Sequence, residues 1–98
     1  MNMREIMKAQ QRLQKLQEEL EQSQFSGSAG GGAVTITMKG NYEITAIKID
    51  PEAVNPEDIG ELETMLLAAA KDAFSKVAEA QQKMLTTITG GLKIPGLF

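Results

Sequence analysis

Apolar side chains recur every three or four positions along the first 25 residues, a stretch without glycine or proline. The repeat includes Ile6, Leu13 and Leu20, with glutamine at Gln10 and Gln17 between them. This spacing places one face of an α-helix toward a packing partner. The pattern predicts a long helix over residues 1–25, with a heptad-like seam that glutamine makes partly polar.

The periodicity then changes twice. Residues 26–32 consist only of Gly, Ser and Ala, a composition typical of a flexible linker. Residues 33–50 alternate apolar and polar positions on either side of Gly40-Asn41, which predicts an antiparallel β-meander. The alternation changes phase between Ala46 and Ile47, which indicates either a β-bulge or a break into two shorter strands.

A second three-to-four periodicity covers residues 55–89 and predicts a longer helix. Asn55 and Pro56 are typical of a helix start, because asparagine caps the first N–H groups and proline has none to satisfy. Gly90-Gly91 are typical of a helix end. Residues 90–98 then form a short apolar tail that contains Pro95.

Together these elements predict one domain over residues 1–98, of the α+β class, with a two- to three-stranded antiparallel sheet between two long helices. Straight helices of these lengths would measure about 33 and 48 Å, more than a small sheet from one chain can cover. We therefore expect a homodimer with projecting helices. The residues expected to contribute to the core are Val34, Ile36, Ile47, Ile49, Leu66, Ala73 and Val77.

Composition narrows the possible functions. The 98 residues contain no cysteine and no histidine. Without thiols or imidazoles, the usual activated nucleophiles and transition-metal ligand sets are missing, so we expect neither an enzyme nor a bound cofactor or metal. The chain has no long apolar run and no resemblance to a signal peptide, and the lack of cysteine suits a reducing compartment. We therefore expect a cytoplasmic protein without a membrane or a small-molecule substrate as partner.

The net charge of −3 conceals a basic N-terminal region. Residues 1–17 carry four cations and one acid, whereas most acids lie from Glu18 onward. At 100° per residue the four cations occupy an arc of about 80° opposite the Leu13/Leu20 seam, over about 16 Å of helix axis. This basic stripe could meet DNA phosphates, or it could be a solubilising face. It consists of Arg4, Lys8, Arg12 and Lys15, and Lys76 and Lys83 on the second helix could extend it.

Other interpretations of these patterns are weaker. The chain has no recognition-helix cluster, zinc ligand set or helix-turn-helix loop, so DNA contacts are expected to reach phosphate with little sequence specificity. The Gly27–Gly32 run follows a helix and opens a strand, the reverse of a phosphate-binding loop. A basic amphipathic helix could also lie on anionic lipid, but the glutamine-rich seam is weakly apolar. The alternative function is a non-catalytic protein–protein adaptor that uses its helical seams.

Five short stretches, in the same order and over essentially the whole chain, resemble the YbaB/EbfC family of nucleoid-associated proteins. They are Met7-Lys8-Ala9-Gln10-Gln11, the glycine-rich segment before Val34, Ile47-Lys48-Ile49-Asp50-Pro51, Ala68-Ala69-Ala70, and Gly90-Gly91-Leu92 with Pro95-Gly96. The resemblance implies an α/β dimer whose helices project like tweezers, broad binding to double-stranded DNA in the nucleoid, and a role in nucleoid organisation and gene expression. It also implies that the family's cationic helix positions fall on Lys8, Arg12 and Lys15.

The first half of the second predicted helix departs from a basic DNA-binding surface. It carries four acids, namely Glu57, Asp58, Glu61 and Glu63. Negative charge near the duplex opposes binding. We therefore expect a modest affinity that depends strongly on salt concentration.

Overall fold

The computed structural model describes the backbone of residues 2–92 and the side chains of residues 2–87. Two long helices flank a three-stranded antiparallel sheet of order β1-β2-β3, which confirms the α+β class. The elements are α1 (Met3–Gln22), β1 (Gln24–Ala29), β2 (Val34–Lys39), β3 (Ile44–Ile49), a short 3-10 turn (Pro51–Ala53) and α2 (Ile59–Leu92).

The first strand occupies most of the segment predicted to be a linker. β1 pairs with β2 along its whole length, from Gln24 opposite Lys39 to Ala29 opposite Val34. The prediction of a helix to residue 25 and a linker over 26–32 is therefore wrong. The irregular part is only the turn around Gly30, Gly31 and Gly32, whose φ angles of 65°, 66° and 95° favour glycine.

Gly27 explains why β1 lacks the sequence signature of a strand. A Cβ at this position would overlap backbone atoms of Ala69 and Ala73 on α2. The strand therefore carries glycine on its inner face, where an alternating pattern would place an aliphatic residue. The same close approach requires alanine at the facing positions of α2.

The second and third strands form the predicted hairpin. Their register shifts at Thr37 and Met38, which lie opposite Ala46 and Ile44, so Thr45 is the extra residue of a β-bulge. This confirms a bulge, which lies just before the predicted change of phase between Ala46 and Ile47. The alternative, a break into two shorter strands, is wrong because β3 continues to Ile49.

The core lies between α2 and only two of the three strands. Ile36 is buried, whereas Ile47 directly opposite it is 54% exposed and Ile49 is 39% exposed. Because cross-strand partners share a face, both isoleucines point to the side of the sheet that α2 covers over β1 and β2 but leaves open over β3. Their assignment to the core is thus wrong for the single chain, and Leu66 is only partly buried. The buried cluster consists of Val34, Ile36, Met38, Ala69, Ala73 and Val77.

The ends of α2 differ from the sequence prediction. The helix begins at Ile59, where the Asp58 carboxylate accepts the N–H of Glu61 at 3.2 Å, whereas Asn55 stabilises only the preceding turn. Gly90-Gly91 do not end the helix, which is described to Leu92. Glycine disfavours a helix interior by about 1 kcal/mol but, unlike proline, keeps its N–H donor. The remainder of the predicted tail, residues 93–98, lies outside the described part.

The molecule is long for its size. Its radius of gyration is 19.0 Å and its extents are 67 × 26 × 15 Å. A compact domain of this length would have a radius of about 13 Å. The helices therefore extend beyond the small sheet, as predicted, and place side chains far from the core.

Candidate nucleic-acid interface

α1 is well formed as a helix yet hardly packed. Its N-terminus is capped by the side chain of Asn2, whose carbonyl oxygen accepts the N–H of Glu5 at 2.9 Å. At the other end, Ser23 donates its hydroxyl to the carbonyl of Glu19 at 2.7 Å. None of the 20 residues of α1 is buried. The helix therefore presents nearly its whole length to solvent or to a partner.

One contact at the base of α1 sets its direction. The N–H of Gly40, in the β2–β3 turn, donates to the carbonyl of Ser23 at 2.9 Å. A Cβ at Gly40 would overlap the carbonyl group of Leu20. Glycine at this position lets the last turn of α1 rest against the turn of the sheet, so the first turns point away from the body.

The four residues of the basic stripe are all exposed on this projecting helix. Arg4, Lys8, Arg12 and Lys15 share an arc of about 80° over about 16 Å. Within the described residues, none of the four takes part in an ion pair, and the three ion pairs present involve other lysines. The structure thus brings these four together as a surface of uncompensated positive charge, as the sequence predicted.

The structure does not bring Lys76 to this stripe. Its ammonium group donates to the carbonyl of Ser26 at 2.6 Å and lies 3.6 Å from the carboxylate of Asp72. Both contacts hold Lys76 against the outer edge of β1. Lys83 is much more exposed and pairs with Glu79 on the same helix at 3.4 Å. Its neighbours Gln82 and Met84 line the groove at the base of α1.

A groove of about 610 Å³ separates the base of α1 from α2. Leu20 and Gln17 form one wall, and Gln81 and Met84 form part of the other. Gln81 is fixed there because its amide nitrogen donates to the carbonyl of Gly40 at 2.8 Å and its amide oxygen accepts the hydroxyl of Tyr42 at 3.2 Å. We call this space the base groove.

Sequence reasoning did not find the residues that orient the interface. Gly27 allows the close approach of α2, and Gly40 allows α1 to dock against the β2–β3 turn. Tyr42 connects that turn to α2. Tyr42 adopts a φ of 69°, which is unusual for a residue other than glycine. The small residues Ala69 and Ala73, one helical turn apart, were a usable signal for close packing against a glycine.

Other chemistry finds little support in the described residues. They contain no group of carboxylates arranged to hold a metal ion. None of the helices searched combines the length and apolarity that crossing a bilayer requires.

Comparisons with known proteins agree with a nucleic-acid interface. Residues 1–92 match the model of the YbaB/EbfC DNA-binding family. A nucleoid-associated protein of Clostridium novyi is 43% identical over 98% of this chain and 84% of its own length. One from Pelotomaculum thermopropionicum is 44% identical over 98% of this chain and 91% of its own length.

A solved structure supports the same fold. The crystal structure of an uncharacterized protein from Helicobacter pylori superposes with a TM-score of 0.69 at 21% identity, covering 90% of this chain and 97% of that one. Given the family match and relatives above 40% identity over nearly the whole length, the chain belongs to the YbaB/EbfC DNA-binding family and is not an enzyme.

Proposed function

We propose that this protein binds double-stranded DNA as a homodimer, mainly through the phosphate backbone and with little sequence specificity. On this proposal it acts in the nucleoid of the bacterial cytoplasm, where it contributes to nucleoid organisation and gene expression. The observation that carries the proposal is the basic stripe, in which four cations without an ion-pair partner in the described residues lie on one exposed face of a projecting helix.

The composition of the stripe favours phosphate over base edges. Duplex DNA carries one negative charge per 1.7 Å or so, and lysine or arginine gains affinity there by releasing condensed counterions. Base readout in the major groove instead needs fixed amide or guanidinium pairs that a buried or docked helix holds in place. α1 has no buried residue to fix its rotation, so its cations suit a uniform backbone better than a particular sequence.

The acids of α1 limit where DNA can lie. Glu18, Glu19 and Glu21 follow the stripe directly and stand on the half of α1 nearest the sheet. Phosphates close to them would be repelled. The DNA contact is therefore assigned to the outer part of α1, from Arg4 to Lys15. Lys83 is a peripheral contributor, and Lys76 has a structural role because its ammonium group is already occupied.

An apolar strip supplies the dimer interface in this proposal. It joins three isoleucines of β3 to Phe74 of α2, which is 53% exposed and stacks on Tyr42 with ring centroids 4.7 Å apart. Contiguous apolar surface of this kind marks a protein–protein contact. A second copy related by a two-fold axis would cover the same strip on both chains. The isoleucines are Ile44, Ile47 and Ile49.

A dimer also fits the electrostatics. One chain offers four cations in the stripe, whereas two copies offer eight to a single duplex. Doubling the number of phosphate contacts compensates for the acidic balance of the rest of the chain. This explains how a protein of net charge −3 can hold DNA.

The test is fluorescence anisotropy of two unrelated duplexes, titrated with protein at several salt concentrations. We expect similar affinities for both duplexes and a steep loss of affinity with salt. The combined change Lys8→Glu, Arg12→Glu and Lys15→Glu should abolish binding while circular dichroism stays unchanged. The matched control is Lys48→Glu, an exposed lysine on β3 away from the stripe, which should bind almost normally.

Two results would contradict the proposal. Retained affinity in the triple variant would remove the stripe as the binding site. No binding by the unmodified protein even at low salt would favour the adaptor function.

A further inference from the structure

Among the described residues, the apolar seam of α1 has no adequate partner in the single chain. Ile6 is 42% exposed, Met3 is 77% exposed, and Leu13 and Leu20 are only partly buried. An amphipathic helix draws most of its stability from burying its apolar face. The seam is separate from the apolar strip of β3 and α2, so the proposed dimer does not account for it.

The seam follows the spacing of a helix that pairs with another helix. Ile6, Leu13 and Leu20 are seven residues apart and occupy one core position of a heptad. Met3, Gln10 and Gln17 occupy the other core position at the same interval. This is the arrangement of a coiled-coil seam, in which glutamine weakens the contact and restricts its register.

The basic stripe lies outside such a contact. In the heptad set by Ile6 and Leu13, the cations occupy the three outward positions, and the positions that flank the seam carry no positive charge. Pairing through the seam would therefore neither bury the stripe nor place like charges face to face. Helix pairing and DNA binding are compatible on the same helix.

We propose that the seam is a second interface between copies of this chain, in which α1 of one homodimer pairs antiparallel with α1 of another. In antiparallel pairs, each layer joins the two different core positions of the heptad. Alignment over the full helix places Met3 opposite Leu20, Ile6 opposite Gln17, and Gln10 opposite Leu13 of the second copy. Every layer then pairs one aliphatic side chain of one helix with Met or Gln of the other helix.

The base groove decides the orientation. Leu20 lines this groove together with Met84 of α2, so α2 stands beside the seam at its base. A parallel pair would bring two bases together, each with its own α2 in the way. An antiparallel pair brings only the slender tip, with Met3, to the groove of about 610 Å³. Methionine suits such a site because its unbranched side chain adapts to irregular space.

Charge complementarity favours the same orientation. The outer part of α1 is basic and its base carries Glu18, Glu19 and Glu21. Antiparallel alignment sets Arg4 of one helix level with Glu19 of the other, whereas parallel alignment sets each charged group level with its own copy. Like charges within about 10 Å repel at moderate ionic strength.

Two different self-contacts on one chain have a consequence for assembly. A homodimer that pairs again through α1 at both ends can continue into a larger array of dimers. The outward stripe of each dimer in such an array remains free for DNA. The inference therefore adds cooperative coating to the proposed function, although the helix contact itself does not depend on DNA binding.

Cysteine cross-linking tests the pairing directly, since the chain has no cysteine of its own. Ile6→Cys and Gln17→Cys proteins are prepared separately, incubated together to exchange, and oxidised without DNA. We expect a disulfide-linked pair of chains to form at least tenfold faster in the mixture than in either protein alone. Two copies of Ile6→Cys would lie about 16 Å apart along the axis, beyond disulfide reach.

The matched control mixes Lys8→Cys with Lys15→Cys, which lie level with each other in the same alignment but on the outer faces. We expect no acceleration. Rapid cross-linking of Ile6→Cys alone would show parallel pairing and overturn the proposal. A mixture no faster than the control would overturn it as well.

Light scattering gives a second readout on the full chain at tens of micromolar protein. We expect a mass of four or more chains for the unmodified protein and two chains for Leu13→Gln, whose dimer–dimer association should weaken by about a hundredfold. Two chains for both proteins would contradict the inference. If the cysteine pairs do not cross-link but the protein still binds DNA in the anisotropy titration, only this interface is refuted. If the pairs cross-link but the protein does not bind DNA, only the proposed DNA binding is refuted.

Discussion

The ammonium group of Lys76 donates a hydrogen bond to the carbonyl oxygen of Ser26 across 2.6 Å. One turn earlier on α2, the carboxylate of Asp72 accepts the N–H of Ser28 at 3.1 Å. β1 is an edge strand, and these are polar groups on its outer side. α2 thus closes one edge of the sheet with a cation and an anion, while among the described strands the edge at β3 is left for another contact.

Lys76→Met is expected to reduce stability more than DNA binding. The substitution removes a charge-assisted hydrogen bond that is half exposed, so we expect a loss of about 1 kcal/mol in the free energy of unfolding. Urea denaturation at fixed protein concentration measures this. DNA affinity should fall by less than about threefold, since the ammonium group is already engaged.

The control for this prediction is Lys83→Met, which removes a more exposed ion pair with Glu79. It should change stability by less than about 0.5 kcal/mol. If Lys76→Met weakened DNA binding as much as Lys8→Met does, Lys76 would have to be counted in the interface.

Gly27→Ala is expected to disrupt the packing of β1 on α2. The added Cβ would overlap backbone atoms of Ala69 and Ala73, which cannot move aside as a flexible side chain could. We expect a loss of about 3 kcal/mol or more, measured by urea denaturation. In hydrogen-exchange measurements, the amide groups of β1 should be the first to exchange faster than in the unmodified protein.

Gly31→Ala is the comparison for Gly27→Ala, because it introduces backbone strain without crowding. Gly31 has a φ of 66° and nothing within 4 Å of an added Cβ. The expected loss is about 1 kcal/mol, because only the left-handed conformation opposes alanine. Equal losses at the two glycines would contradict the close contact between β1 and α2.

Ile47→Glu is expected to separate the proposed homodimer. A charge on each copy of the apolar strip would face another charge across the two-fold axis and remain unpaired. In the Leu13→Gln background, which removes the proposed α1 contact, light scattering should show single chains for Ile47→Glu. Lys48→Glu, the next residue on the opposite face of the sheet, should keep two chains in the same background. An unchanged mass for Ile47→Glu would move the dimer interface elsewhere.

Lys8→Gln is expected to flatten the salt dependence of DNA binding. If all eight cations of a dimer contact phosphate, the logarithm of the binding constant should fall with a slope near −7 against the logarithm of salt concentration. Removing one cation per chain should make the slope shallower by about 2. Anisotropy at four or five salt concentrations measures it, and an unchanged slope would exclude Lys8 from the contact.

The sequence predicted the long elements because their periodicity repeats over many residues. α1 and the basic stripe follow directly from spacing, and the bulge follows from the phase change before Ile47. β1 was missed for a physical reason, since packing against α2 requires Gly27 and thereby removes the alternation that identifies a strand. Composition alone could not distinguish that requirement from flexibility.

The exposed isoleucines show a second limit of sequence reasoning. Hydrophobic alternation predicts that Ile47 and Ile49 are buried, but it does not say which chain buries them. α2 lies over β1 and β2 and leaves these two side chains open. Sequence patterns reflect total burial, which in the proposed homodimer includes the contact with the second copy, whereas the single chain shows only its own part.

Because α1 docks at its base, near Gly40, a small change in its angle there moves its far end by a large distance. Its 20 residues extend about 30 Å from Ser23, so a tilt of about 10° at this end would move Arg4 by about 5 Å. The major and minor grooves of DNA differ in width by about 6 Å. A pivot at one glycine would therefore give the two arms of the proposed dimer enough travel to fit duplexes of different local shape without any change in the sheet.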